Sequence, residues 1–190
     1  MSLARYKTLD LTIFAAIVTV LEIAAKLALN ISPGEIFSFS PTMAVTLIVF
    51  VRWGYFGLIH SVLGGLAYAL VNSADQTAII IYTIGNLGMA LALLVLKKFP
   101  HDKLRKSLDI KLLYCIAAFL GMCATRTVLA FVLEGSASIL DYFIHYLSAE
   151  ALNGVITALV ICIAAKQDGM LEDQLCYLYR IAEEEGKNAN

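Results

Sequence analysis

Asp141-Tyr-Phe-Ile-His-Tyr-Leu-Ser-Ala-Glu-Ala-Leu-Asn153 opens an otherwise apolar segment that runs on through Val160, Ile161 and Ile163. At about 100° per residue, Tyr142, His145, Tyr146, Glu150 and Asn153 share one helix face, and Asp141 falls just off it. The whole segment has the length of a hydrocarbon crossing. A polar stripe inside such a helix costs several kcal/mol unless another element meets it. The segment therefore predicts a helical membrane bundle and directs attention to what the other helices bring to that face.

Composition agrees. The chain has 190 residues, 60% of them hydrophobic and only 15% charged, with a mean hydropathy of +0.80. This places it among integral membrane proteins. Cys115, Cys123, Cys162 and Cys176 show no CxxC pairing and no metal-type spacing with histidine, so they read as packing residues. The short basic start, with Arg5 and Lys7, leads into an apolar run too long for a signal-peptide core and is read as a retained first crossing.

Six spans are expected, in an all-α fold: Leu9 to Leu29, Phe37 to Val51, Phe56 to Val71, Thr77 to Leu96, Ile110 to Leu133 and Ile139 to Ala165. The second is short and reads as tilted or covered by its neighbours. Lys97 to Asp109 reads as a charged loop, with Asp109 placed to cap the next helix. The connections alternate in charge. Arg5 and Lys7, then Arg52, then the cluster Lys97, Lys98, Lys103, Arg105, Lys106 and Lys111, then Lys166 lie on one side. Only Glu35, Asp75 and Glu134 lie on the other. By the positive-inside rule both termini are cytoplasmic. Residues 1–166 form a single transmembrane domain. Residues 167–190 form a tail in which Leu171, Leu175 and Leu178 recur at helical spacing; it reads as an amphipathic surface helix or as a solvated end.

With that orientation, the buried polar residues gather toward the outside. Glu22 and Lys26 lie one turn apart on the first helix and can form an intrahelical ion pair. Tyr82 and Asn86 share a face of the fourth, and Arg126 sits between Thr125 and Thr127 on the fifth. His60, on the third, reads as a packed, hydrogen-bonded histidine. Two explanations stay open. In one, Arg126 pairs with Glu150 or Asp141 and the cluster is a self-satisfied network that fixes helix register. In the other, the same groups line an outward-facing pocket for a small polar solute, with Tyr82, Tyr142, Tyr146, Phe37 and Phe39 supplying the aromatic surface. Arg126 and Lys26 suit a carboxylate or phosphate; Glu22, Asp141 and Glu150 suit an amine or ring nitrogen. Ala15, Ala16 and Thr19, Gly64, Gly65 and Ala67, and Gly85 and Gly88 mark close helix approach. No Walker A loop, HExxH or GxSxG occurs, so no enzyme, metal site or nucleic-acid site is expected and the chain has no energy source of its own.

Phe37-Ser-Phe-Ser-Pro-Thr-Met-Ala44, Arg52-Trp-Gly-Tyr-Phe-Gly57 and Gly64-Gly65 resemble the outer loop, the proline-started second helix and the glycine-rich third helix of the S components of energy-coupling factor (ECF) transporters. The resemblance extends over nearly the whole chain through its length and span pattern. It implies a bacterial plasma-membrane protein that captures a vitamin or related micronutrient from outside. It also implies a coupling membrane subunit and two ATPases as partners, with ATP used by those partners and no cofactor in this chain. The ligand is then expected on Tyr82, Asn86, Arg126, Tyr146, Glu150 and Asn153, with Lys26, His145 and Phe39 nearby and Glu35–Ser40 as a lid. The family's Ala-xxx-Ala docking element finds its nearest match in Ala15-xxx-Thr19, beside Ala16. A scaffold protein of the MreD type, similar in size and span number, is the alternative.

Overall fold

A computed structural model describes residues 3–31 and 39–188. Phe37 and most of the expected lid, Glu35 to Ser38, lie outside the described residues. Among the described residues all regular structure is helical. The helices are α1 (Leu3–Ile31), α2 (Thr42–Trp53), α3 (Gly57–Val71), α4 (Gln76–Gly85), α5 (Ala92–Lys98), α6 (His101–Lys106), α7 (Leu108–Leu133), α8 (Ile139–Ala149), α9 (Ala151–Ala164) and α10 (Gln174–Asn188). Short 3-10 turns, Gly54–Phe56 and Asn86–Leu91, join α2 to α3 and α4 to α5.

Four stretches are long and apolar enough to cross a membrane: Leu3–Ala28, Thr42–Val71, Gln76–Lys98 and Leu108–Leu133. The pair α8 and α9, bent by 47°, makes a fifth if it is one broken span. Thr42–Val71 is not straight. A β-carbon added at Gly64 would lie 2.3 Å from the Thr42 hydroxyl oxygen, whereas a straight helix would hold these residues about 33 Å apart. The chain instead turns back at Gly54, whose φ of 57° suits glycine, so α2 and α3 form a hairpin.

Helix α2 is the centre of the bundle. All twelve of its residues are buried, and α1, α3, α5, α7 and α9 pack around it. Its length of about 18 Å falls short of a hydrocarbon layer of about 30 Å, but protein rather than lipid surrounds it. The main core joins Leu47 and Phe50 of α2 to Met89, Tyr114, Met122 and Ile161, and the Tyr114 hydroxyl donates to the Leu47 carbonyl at 2.8 Å. Exposed leucine, isoleucine and valine side chains cover the periphery, among them Leu94, Val132, Val155 and Ile163, as a lipid-facing surface requires. Helix α1 is the most peripheral: 11% of its apolar window is buried, against 72% for Thr42–Val71.

The structure differs from expectation in four places. The stretch from Lys97 to Asp109 is not all loop but contains α6, whose Leu104 is fully buried. Ser107, not Asp109, caps α7: Ser107 has extended backbone and its hydroxyl accepts from the Ile110 amide, while Asp109 is already inside the first turn. The fourth span is α-helical only at its two ends. The last span bends at Glu150. His60 is packed as expected, with its ring nitrogens against the carbonyls of Leu11 (2.9 Å) and Phe56 (3.3 Å).

One end of the bundle is held by a polar cluster that spacing alone does not reveal. Arg52 makes a bidentate pair with Asp10 at 2.8 and 2.9 Å and donates to the Gly169 carbonyl at 2.6 Å. The Trp53 indole also donates to Asp10, at 2.6 Å. The tail is drawn in here. Leu171 is fully buried, Glu172 bridges Arg105 and Arg180, and Tyr6 donates to Gln174 at 3.1 Å.

Candidate polar site and its cavity

At the opposite end a chain of buried polar groups links five helices. It begins where α4 gives way to the 3-10 turn. There the Asn86 amide donates to the Ser61 carbonyl of α3 at 3.1 Å, and Gly65 leaves the space: a β-carbon there would strike the Tyr82 carbonyl and the Asn86 side chain. Asn86 Oδ1 accepts from Arg126 Nη2 of α7 at 2.7 Å. Arg126 Nη1 pairs with Glu150 Oε1. The other Glu150 oxygen accepts from Asn153 Nδ2 at 2.7 Å, and Asn153 Oδ1 accepts from the Ser40 amide at 3.0 Å. The Ser40 hydroxyl donates to Glu22 of α1 at 2.5 Å, as does the Thr42 hydroxyl. All the charged members are buried.

Local structure places these groups. Glu150 sits at the break between α8 and α9, so the bend turns its carboxylate and Asn153 toward the core. Arg126 lies over the Tyr82 ring at 4.5 Å, a cation–π contact, and its aliphatic stem packs on Gly85. Tyr82 in turn stacks at a tilt on Tyr68, with centroids 4.9 Å apart. Arg126 Nε has no hydrogen-bond partner among the described residues.

Beside this chain lies a cavity of about 460 Å³. Ile81 and Tyr82 of α4, Glu134 and Ala137 of the turn between α7 and α8, and Asp141, Tyr142, His145 and Tyr146 of α8 form most of its wall. Two carboxylates and three tyrosines face it, and no Lys or Arg is among its lining residues. The Tyr142 hydroxyl is shared with Ser136 at 2.9 Å. Asp141 closes a capping box with Ser138, which fixes the start of α8. Among the described residues no three His, Cys, Asp or Glu side chains converge as a metal site would need.

The expected site residues therefore divide. Tyr82, His145 and Tyr146 line the cavity, while Asn86, Arg126, Glu150 and Asn153 form the buried chain behind it. Phe39 is half-buried next to Ser40. Lys26 is half-buried on α1 and does not pair with Glu22 in the described structure, because Glu22 turns instead to Ser40 and Thr42. On α1, Ala15 and Thr19 are half-buried and Ala16 is exposed, and the Thr19 hydroxyl donates to the Ala15 carbonyl at 2.9 Å. Ser40, Thr42, Glu134 and Tyr68 are not among the ligand contacts expected from the sequence. The only signal for the first two is Ser-Pro-Thr at the start of α2, where hydroxyls on both sides of a proline can meet an acceptor.

This architecture is similar to the solved structure of ThiT from Listeria monocytogenes, with a TM-score of 0.62 over 86% of this chain and 94% of that one, at 21% sequence identity. The chain shares the fold of that protein. No family model matches the sequence, and no curated protein does.

Proposed function

We propose that this chain is the substrate-capture subunit of an ECF-type importer. It crosses a bacterial plasma membrane six times, with α2 and α3 as separate crossings and α8–α9 as one broken crossing. Both termini are cytoplasmic. Residues 1–166 form the membrane domain, and 167–190 the cytoplasmic tail. The chain binds a vitamin-like solute from outside, and partner ATPases working through a coupling membrane subunit supply the energy for its release inside. It catalyses no reaction. Ala15, Ala16 and Thr19 mark the α1 surface offered to the coupling subunit, where close helix approach needs small side chains.

The observation that carries this reading is the aromatic and acidic cavity beside the buried polar chain. Its chemistry refines the ligand. Arg126 is engaged by Glu150, Asn86 and the Tyr82 ring, so it does not offer a free guanidinium to an anion. The walls present Glu134, Asp141 and tyrosine faces, which suit a cationic or protonated ring nitrogen. Mass spectrometry of material released from the purified protein tests the proposal: a small nitrogenous ligand supports it, and a protein that carries none and binds no vitamin in a calorimetric panel overturns it.

A second reading rests on one specific observation. The chain from Asn86 to Glu22 is almost fully satisfied internally, as a scaffold of the MreD type requires. Co-purification with ATPase subunits separates the two, since a scaffold has no use for them.

A further inference from the structure

From the last turn of α5 through α6 the chain carries Lys97, Lys98, Lys103, Arg105 and Lys106 within ten residues. The tail removes one of these cations: Arg105 is paired with Asp168 at 3.1 Å and with Glu172. Lys111 is also engaged, donating to the Arg105 carbonyl at 3.0 Å. The remaining four lysines are exposed, and none forms an ion pair among the described residues. Lys98 touches only the Phe99 ring, 5.6 Å from its centroid. Besides Asp168, which is taken by Arg105, Asp102 and Asp109 are exposed carboxylates nearby, so four lysines face two carboxylates not engaged by Arg105.

These lysines lie on consecutive elements, the end of α5 and α6. Leu104 is fully buried, which pins the six-residue α6 against the ends of its neighbours. Lys103 and Lys106, three apart, then share its outer side. Immediately inward of the patch, Leu91 at the end of the 3-10 turn, Leu94 on α5, and Leu108, Leu112 and Leu113 on α7 are exposed apolar side chains. Leu94 precedes Lys97 by three residues, about 4.5 Å along a helix. An exposed leucine band followed within one turn by unpaired lysines matches the boundary between acyl chains and phosphates. Clusters of four or more basic residues just outside a membrane helix are a recurring anionic-lipid signal.

We infer that Lys97, Lys98, Lys103 and Lys106 form a binding surface for the phosphate headgroups of anionic phospholipids. The inference rests on the membrane orientation proposed above. The test uses the full chain, extracted from membranes into neutral detergent. Its thermal midpoint is measured with added phosphatidylglycerol, with phosphatidylcholine, and with inorganic phosphate alone. Phosphatidylglycerol is expected to raise the midpoint by about 2–4 °C, as a ligand selective for the folded state does, and phosphatidylcholine by much less. The combined variant K97Q/K98Q/K103Q/K106Q, all exposed sites, is expected to fold with an unchanged basal midpoint and to lose at least half of the shift. Equal effects of the two lipids, a full shift retained in the variant, or the same shift from inorganic phosphate would each overturn the inference. So would a variant that keeps the lipid shift yet loses co-purifying ATPase subunits, which assigns the lysines to a protein partner. A chain that resides in the membrane but shows no anionic preference defeats the patch and leaves the capture function standing.

Discussion

Replacing Glu150 by Ala tests the buried polar chain most directly. The carboxylate has two partners, the Arg126 guanidinium on one oxygen and the Asn153 amide at 2.7 Å on the other. Both charged side chains are nearly inaccessible, with 4% of Arg126 and 5% of Glu150 exposed. Removing one partner of such a pair leaves an uncompensated charge and costs about 3–5 kcal/mol. Asn86 and the Tyr82 ring keep part of the guanidinium's environment intact, so the lower half of that range is expected. The assay is denaturant unfolding of the detergent-solubilised chain, followed by the fluorescence of its single tryptophan, Trp53. A double-mutant cycle with Arg126→Ala isolates the pair, and a coupling of about 2 kcal/mol is expected, within the range for residues in one network. The control cycle pairs Arg126→Ala with Asp141→Ala, whose exposed carboxylate closes the α8 capping box. Those two changes should add within about 0.5 kcal/mol. A loss below about 1 kcal/mol for Glu150→Ala, or no coupling with Arg126, would refute the reasoning. The pair would then be hydrated, and Arg126 would be free to meet a ligand.

Other expectations are shorter to state. Gly88 and Gly121 each lie against the other's carbonyl, where an added β-carbon would fall at 2.1 and 2.2 Å. Gly88→Ala or Gly121→Ala should therefore cost at least about 1–3 kcal/mol, read by the same unfolding assay. Gly154→Ala, which meets only the Phe119 ring at 3.2 Å, should cost markedly less. Arg52→Gln breaks the bidentate pair with Asp10 and the bond to Gly169. It should destabilise the chain by about 3 kcal/mol and speed proteolysis of the tail. Glu134→Gln, on the cavity wall, should reduce the ligand recovered with the purified protein while leaving the unfolding midpoint near its original value.

Hydropathy and loop charge made the helical bundle legible, because lipid imposes long apolar runs that few other environments require. The same logic hid other parts of the fold. Helix α2 looks short for a crossing only when each span is assumed to face lipid; its complete burial answers that. Asp10 and Arg52 are 42 residues apart and read as ordinary flanking charges, yet they tie α1 to the α2–α3 hairpin. Glu22 and Lys26 have the spacing of an intrahelical pair, but a nearby lysine must compete with two hydroxyls from the start of α2, and the hydroxyls prevail. Local spacing shows which partners are possible within a helix, and the packing of distant segments selects among them.

The polar stripe from Tyr142 to Asn153 shows how that selection shapes the site. On a straight helix its members would share one wall. The 47° bend at Glu150 divides them, so Tyr142, His145 and Tyr146 face the cavity, and Glu150 and Asn153 face Arg126 and Ser40. The two sequence explanations, pocket and network, then describe different halves of one stripe. The network half pairs Glu150 with the one guanidinium and meets Glu22 with hydroxyls, and the cavity half adds Glu134 and Asp141. Glu134 and Asp141 are exposed, so solvent screens them in part, but an excess of carboxylates still favours a positive partner. That excess, more than any single contact, is the reason the proposed ligand carries a cationic nitrogen.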